Sequence, residues 1–308
     1  MRKTEGGRDM RKEKTGKKRA AKFLGTVVDP KHFSRTQVKF YVILVPLALF
    51  MILPVIMIIN RAFMPLGELF AFPPHIFVHD PTLTNFKSLF SLSGATGVPF
   101  LRYLLNSVII TGLTVLLNLV ITIFGAYAFA KKRFVGKKFL FEMNQLALMF
   151  VPTAVAISRY IVISKLGLID TVAVHVLSLA AMPVGLFLVK QFTDQLPDAL
   201  LEAAVIDGAK ERHIIFRIIV PLIKPALATS VVLTFQQVWM AVEASNNYIT
   251  DDSLRTLAYY LNSLSTNNTV AAAGMSAAAS LILFLPNLII FIWMQSQVMN
   301  TMSHSGIK

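Results

Sequence analysis

The chain has 308 residues, of which 55% are hydrophobic and only 15% charged, with mean hydropathy +0.63 and a net charge of +14. That balance excludes an ordinary soluble domain. The absence of cysteine, with only six histidines, argues against a disulfide framework or a Cys-ligated metal site. Several apolar runs reach or approach the roughly 20 residues a helix needs to cross about 30 Å of hydrocarbon, so the expectation is an all-α polytopic membrane protein.

Residues 1–37 form a strongly basic head. Arg2, Lys3, Arg8, Arg11, Lys12, Lys14, Lys17, Lys18, Arg19, Lys22, Lys31 and Arg35 face only four acids. A second cluster, Lys131, Lys132, Arg133, Lys137 and Lys138, falls in a short gap between apolar runs. Both read as cytoplasmic topology signals reinforced by anionic lipid, which removes the reason to invoke nucleic acid. The head is expected to be a disordered cytoplasmic segment. It is too long for the lead of an ordinary signal peptide and no cleavage site follows it, so the first span should be retained.

The membrane part, residues 38–308, is expected to hold six transmembrane helices with both termini cytoplasmic. The first span covers about Val38–Asn60, with Pro46 and Pro54 inside it. An exterior segment, Arg61–Phe100, carries turn chemistry at Phe72-Pro73-Pro74 and Asp80-Pro81-Thr82. The second span is Asn106–Ala130, the third Leu140–Ser164 with a bend at Pro152, and the fourth Thr171–Phe187. Glu142 is expected to pair with the basic cluster, and Arg159 and Lys165 to snorkel to exterior headgroups. A fifth span runs Pro225–Val242, an exterior loop Asn246–Val270, and the sixth ends near Met299. The sixth begins in the small-residue run Ala271–Ser280, which suits close helix packing. Asn267-Asn268-Thr269 fits a glycosylation sequon that a bacterial membrane protein would leave unused.

Between the fourth and fifth spans lies a polar, ordered segment, residues 192–221. Leu200, Leu201, Ala204 and Val205 recur at helical spacing among Asp198, Glu202 and Asp207. Asp194 and Asp198 favour the amino end of that short helix through its dipole. Gly208 permits the positive-φ turn that stops it. Lys210, Glu211 and Arg212 open a second helix carrying Ile214, Ile215, Ile218 and Ile219, and Pro221 and Pro225 mark re-entry into the bilayer. The small Ala203 and Ala204 are expected to let the helix seat in a partner's groove.

Glu202, Ala203, Ala204, Gly208, Ile218 and Pro221 match the loop EAA, three residues, Gly, nine residues, Ile, one residue, Leu-Pro, with Val220 in the Leu position. The chain therefore resembles the permease subunits of bacterial binding-protein-dependent ABC importers (type I fold). The flanks, Pro81-Thr82-Leu83-Thr84-Asn85-Phe86, Asn106-Ser107, Ile206-Asp207-Gly208-Ala209 and the tail Thr301–Lys308, look like the carbohydrate-uptake branch that contains the six-span maltose permease subunit. The resemblance covers about Val38 to Lys308. It implies a coupling role for Glu202, Ala203, Ala204, Asp207 and Gly208 in docking a cytoplasmic ATPase. It also implies two such ATPases, a second permease subunit (a different chain), an extracytoplasmic solute-binding protein, and a bacterial cell membrane location. The chain has no G-x-x-x-x-G-K-[ST] sequence, so no cofactor is assigned to it; ATP and Mg would be held by the partner ATPases.

Polar groups at membrane depth are solute-path candidates. The richest set is Gln236, Gln237, Trp239, Glu243, Asn246 and Asn247. Their other roles would be interfacial anchoring and interhelical amide bonds. Met240 stands where the family usually has Asn. Glu142, Asn144 and Gln145 are a lesser set. The exterior loop with Asn246, Asn247, Asp251, Asp252 and Arg255 aligns with the region that contacts the binding protein in relatives. The competing readings are an importer permease for a non-carbohydrate solute, an ATP-independent secondary transporter, or an intramembrane enzyme. The spans have no mid-membrane acid apart from Glu243 near an end, and neither HExxH nor G-x-S-x-G occurs.

Overall fold

The computed structural model describes residues 35–73, 75–91, 97–266 and 270–305. The basic head up to residue 34, the sequon at 267–269 and the last three residues of the tail lie outside them. The described residues form helices joined by turns, with no strand among them. In chain order these are α1 (Arg35–Phe63), α2 (Leu66–Leu69), α3 (Thr84–Ser91), α4 (Phe100–Lys131), α5 (Lys137–Ala147), α6 (Ala156–Lys165), α7 (Val172–Ala180), α8 (Pro183–Asp194), α9 (Asp198–Ile206), α10 (Glu211–His213), α11 (Val220–Leu222), α12 (Lys224–Trp239), α13 (Glu243–Asn247), α14 (Leu257–Thr266) and α15 (Val270–Ser305). A 3-10 turn, Pro152–Val155, leads into α6, and a π-helical turn, Ile214–Ile219, joins α10 to α11. The chain divides into two compact units at Val55/Ile56, inside α1; the second, Ile56–Lys308, contains every helix from α2 to α15.

Among the described residues, four helical stretches are long and apolar enough to cross a membrane: Phe40–Phe63, Phe100–Lys131, Lys224–Asn247 and Ala272–Gln295. Two further stretches pass only as bent pairs, so the count reaches six if each pair is one span. The bend expected at Pro152 is present as a full break, and the fourth span departs from its expected bounds. The third is broken after Ala147 and turns by 110° before continuing from Pro152, and the fourth bends by 42° between α7 and α8 and runs on to Asp194. Both breaks precede a proline. Pro disfavours the α conformation at the residue before it, and Val151 and Met182 are accordingly extended, with ψ of 126° and 112°.

Along one face of α4 the packing inverts the soluble pattern. On α4, Ser107, Thr111, Thr114, Asn118 and Thr122 are buried, whereas Val108, Ile109, Leu113, Leu116 and Val120 are exposed. The polar stripe recurs every three to four residues and so occupies one helix face. That face meets α8 and α12, and α12 packs in turn on α15. Asn118 is the hub. Its Nδ2 donates to the Ala180 carbonyl at 2.9 Å, and its Oδ1 accepts from Thr234 Oγ1 at 3.0 Å. The carbonyl freed by the α7/α8 break is thereby satisfied away from water, as a membrane interior requires.

The small-residue run of α15 serves packing within the chain. A Cβ on Gly274 would collide with Asn85 Oδ1 and lie 2.8 Å from Leu66 Cδ2. Asn85 is itself buried, donating to the carbonyls of Ala62 and Met64. Ala278 and Ala279 are fully buried in the neighbouring core around Tyr103, Leu257 and Trp239.

Candidate functional site

The polar segment between α8 and α12 is α9 followed by α10, the π turn and α11 in one run, set against the ends of α4 and α8. Pro197 precedes α9, and Asp207 ends it. The next two residues close it tightly. Gly208 N–H donates to the Val205 carbonyl at 3.0 Å, and Ala209 N–H to the Ala204 carbonyl at 2.9 Å. This is a Schellman close, and it places Gly208 at φ 77°. A Cβ there would meet nothing within 4 Å, so the glycine answers to backbone strain and not to space.

Two faces of α9 differ. Leu201 and Ala204 turn inward onto a core formed with Ile214, Ile215 and Ile219 of the π turn and with Ile123 and Tyr127 of α4. Leu200, Val205 and Ile206 are exposed, Ile206 to 85%, and alternate with exposed Glu202, Ala203 and Asp207. The two alanines therefore part company. Ala204 is small because it packs inside this chain, and only Ala203 lies on the outer face where a partner could seat.

The basic cluster at the end of α4 holds this segment in place. Lys131, its side chain 7% exposed, donates to the Leu196 carbonyl at 2.6 Å and to Asp198 Oδ1 at 2.7 Å. Lys132 pairs with Glu211. One end of α4 thus grips the first residue of α9 and the first residue of α10. The Lys131 ammonium, through its hydrogen bond and charge, holds the Asp198 carboxyl below its ordinary value, and the bond that Lys132 donates to the Glu211 carboxylate raises Lys132 above its own. Lys131 and Lys132 are the residues that sequence reasoning missed here; it read them as a topology signal alone. Glu142 does lie beside Lys138, at 3.8 Å.

A second polar site lies at the other end of α12. Arg159 on α6, Ser178 on α7, Gln237 on α12, Glu243 on α13 and Tyr248 surround a cavity of about 220 Å³. Arg159 Nη1 donates to Glu243 Oε1 at 3.0 Å. This replaces the expectation that Arg159 snorkels to headgroups: its partner is a protein carboxylate. The buried Ser178 and Tyr248 hydroxyls make no well-formed hydrogen bond among the described residues. The candidates read from the sequence separate accordingly. Gln237 and Glu243 line the cavity; Gln236 is half-buried and Asn246 and Asn247 are exposed, all outside its lining. Trp239 is 3% exposed, stacked on Phe235, with its indole N–H given to the Leu283 carbonyl at 2.8 Å. In this conformation it packs two helices together and offers no face to a solute.

The loop beyond is pinned to the head of α4. Asn106 Nδ2 donates to the carbonyls of Ser253 and Arg255, and Ser107 Oγ accepts from Leu257 N–H at 2.8 Å. Asp251 caps the 3-10 turn Asp252–Leu254 through Ser253, which holds its carboxyl below its ordinary value. Arg255 lies over the Tyr259 ring and pairs with Asp252.

Residues 92–298, which contain both sites, match the sequence profile of the binding-protein-dependent transport system inner membrane components. The chain belongs to that family. Members are ABC permeases, and this permease is accordingly a multi-pass protein of a bacterial cell membrane. It is 30% identical over 212 residues to the probable ABC transporter permease protein YurM of Bacillus subtilis, covering 67% of this chain and 69% of that one. It is 27% identical over 270 residues to the galactooligosaccharides transport system permease protein GanQ of the same species, covering 87% and 94%. Its fold matches a chain of a bacterial ABC transporter involved in the import of the acidic polysaccharide alginate, with a TM-score of 0.70 at 21% identity, covering 86% of this chain and 98% of that one. The matched span begins after α3, so the family core of this permease starts at α4, the helix that carries the polar stripe and the two clasping lysines.

Proposed function

We propose that this permease is one membrane subunit of an ATP-driven importer that moves a sugar or oligosaccharide into the cytoplasm by alternating access. Each bent pair counts as one span, giving six, with both termini and residues 192–221 cytoplasmic. Two separate ATPases dock on α9, a second, different permease subunit completes the pathway, and an extracytoplasmic binding protein delivers solute. The observation that carries the reading is the outer face of α9. Leu200, Ala203, Val205 and Ile206 alternate there with Glu202 and Asp207. Acyl chains would not accommodate those carboxylates, but a protein cleft with apolar and polar walls would. The inner face of the same helix is locked to α4, so motion imposed on α9 reaches the spans as rigid-body motion.

The sugar reading draws on relatives such as the galactooligosaccharide permease and on the cavity at the outer end of α12. At about 220 Å³ the cavity falls below the roughly 300 Å³ at which ligand pockets usually begin. An oligosaccharide would have to extend from it into space contributed by the second permease. Amide, guanidinium and hydroxyl groups there suit sugar hydroxyls.

Gly208→Asp tests the coupling role. It strains the turn and adds charge at the docking face, so solute uptake is expected to be abolished in membranes that contain normal levels of the permease. Normal uptake by that variant overturns the assignment.

A further inference from the structure

At the clasped end of α4 a second depression opens on the side away from the solute cavity. Its volume is about 760 Å³, and it is lined by Phe129, Phe134, Phe139 and Phe141 together with Lys137, Lys138 and Lys190, against one carboxylate, Glu142. We propose that it binds an anionic phospholipid of the cytoplasmic leaflet, with the phosphate between Lys138 and Lys190 and an acyl chain along α5.

Three observations converge. First, the depression sits where a membrane-crossing helix ends, since α4 stops at Lys131 and the chain turns at Gly136 into α5. That is the level of lipid headgroups. Second, its chemistry is split. Phe129 packs on Phe134 and Phe141, with ring centroids 5.9 and 5.7 Å apart, and Phe141 stacks on Phe187, giving a rigid apolar wall. From this wall α5 continues with exposed Leu140, Met143 and Leu146. A free phosphate would have no use for that surface, whereas an acyl chain would cover it. Third, two ammonium groups have donors to spare. Lys190 lies 4.4 Å from the Phe141 ring centroid and pairs with Asp194 at 2.6 Å, which uses one of its three N–H groups. Lys138 is almost fully exposed and only 3.8 Å from Glu142. Lys137 is otherwise engaged, donating to the carbonyls of Ala130 and Lys132 at the end of α4. Basic pockets between membrane helices on the cytoplasmic side bind acidic headgroups in this way. The site rests on the cytoplasmic placement of this end of α4 and is independent of which solute is carried.

The test is native mass spectrometry of the intact transporter, titrated with phosphatidylglycerol against phosphatidylcholine. The wild-type complex should retain phosphatidylglycerol in preference. Lys138→Gln with Lys190→Gln should weaken that retention by about 25-fold, at about five-fold per lysine. The matching Arg pair should restore it. Arg133→Gln removes the same charge from the same basic cluster outside the depression and should leave retention unchanged. The mass of the complex reports assembly in the same spectrum; if the double variant does not assemble, Lys138→Gln alone should show the five-fold loss. Equal retention of the two lipids overturns the proposal, as does undiminished retention by the variant or an equal loss from Arg133→Gln. Displacement of the lipid by excess inorganic phosphate would also overturn it, because the site would then be one for a free anion. Loss of uptake plays no part in this readout, so the site and the transport reading fail separately.

Discussion

Lys131 shows how much of the site lies in single side chains. Its ammonium reaches a backbone carbonyl and the carboxylate of Asp198 from a nearly buried position. A charge-assisted hydrogen bond is stronger than a neutral one, though solvent around the exposed Asp198 screens this one. Lys131→Met is expected to lower uptake roughly five- to ten-fold while ATPase subunits still co-purify with the complex, because the docking proposed above uses the other face of α9. The clasp should be insensitive to pH near neutrality. The folded-state value of Asp198 lies below its ordinary 3.8. Its contribution is therefore fully present above 3.8 and lost only as pH falls through the lower folded value. The uptake difference between wild type and Asp198→Asn should accordingly stay constant between about pH 5.5 and 8. Gly208 was legible in the sequence because a helix stop followed by a positive-φ position is a local event. The clasp was not, since nothing in Lys131-Lys132 indicates which of two clusters 65 or more residues away each will meet.

Helices with proline show why element boundaries were harder to read. Pro46, Pro54 and Pro286 sit inside continuous helices, whereas Pro152 and Pro183 begin new ones. The difference at Pro183 is set by a neighbour, since Asn118 supplies the donor that makes the break tolerable. Such a partner is 62 residues away in sequence and is visible only after folding. The stripe Ser107, Thr111, Thr114, Asn118 and Thr122 could have been found, because polar residues at spacings of three and four inside an apolar run mark a buried face in lipid. Asn118→Leu removes the donor to Ala180 and the acceptor for Thr234 together. The expected loss is about 1–2 kcal/mol of stability, measured by unfolding the purified complex in detergent, with Asn118→Gln recovering less than half of it.

For the molecule as a whole, composition was enough to place the chain in a membrane, because 55% of its residues are hydrophobic and only 15% charged, far from the balance of a soluble domain. What composition could not reveal is which polar groups meet across the bundle, as Arg159 and Glu243 do over 84 residues. Arg159→Gln leaves Glu243 partly buried without its counter-charge. Uptake should fall several-fold and be recovered in part by the double variant Arg159→Gln with Glu243→Gln, as a paired role requires. The purified permease by itself should hydrolyse no ATP above the level of its buffer, with activity appearing only when ATPase subunits are added.

The threonines of the bundle bear on how it is made. Thr114, Thr193, Thr229 and Thr234 each return their hydroxyl to the carbonyl four residues earlier in the same helix, those of Ile110, Val189, Pro225 and Ser230. Each of these helices can therefore leave the insertion machinery and enter lipid with those hydroxyls already satisfied, before any neighbour has been synthesised. Asn118 cannot, since its amide waits for Ala180 and Thr234. During biogenesis α4 thus carries an unfilled obligation, and the emergence of α7 and later of α12 from the ribosome discharges it in that order.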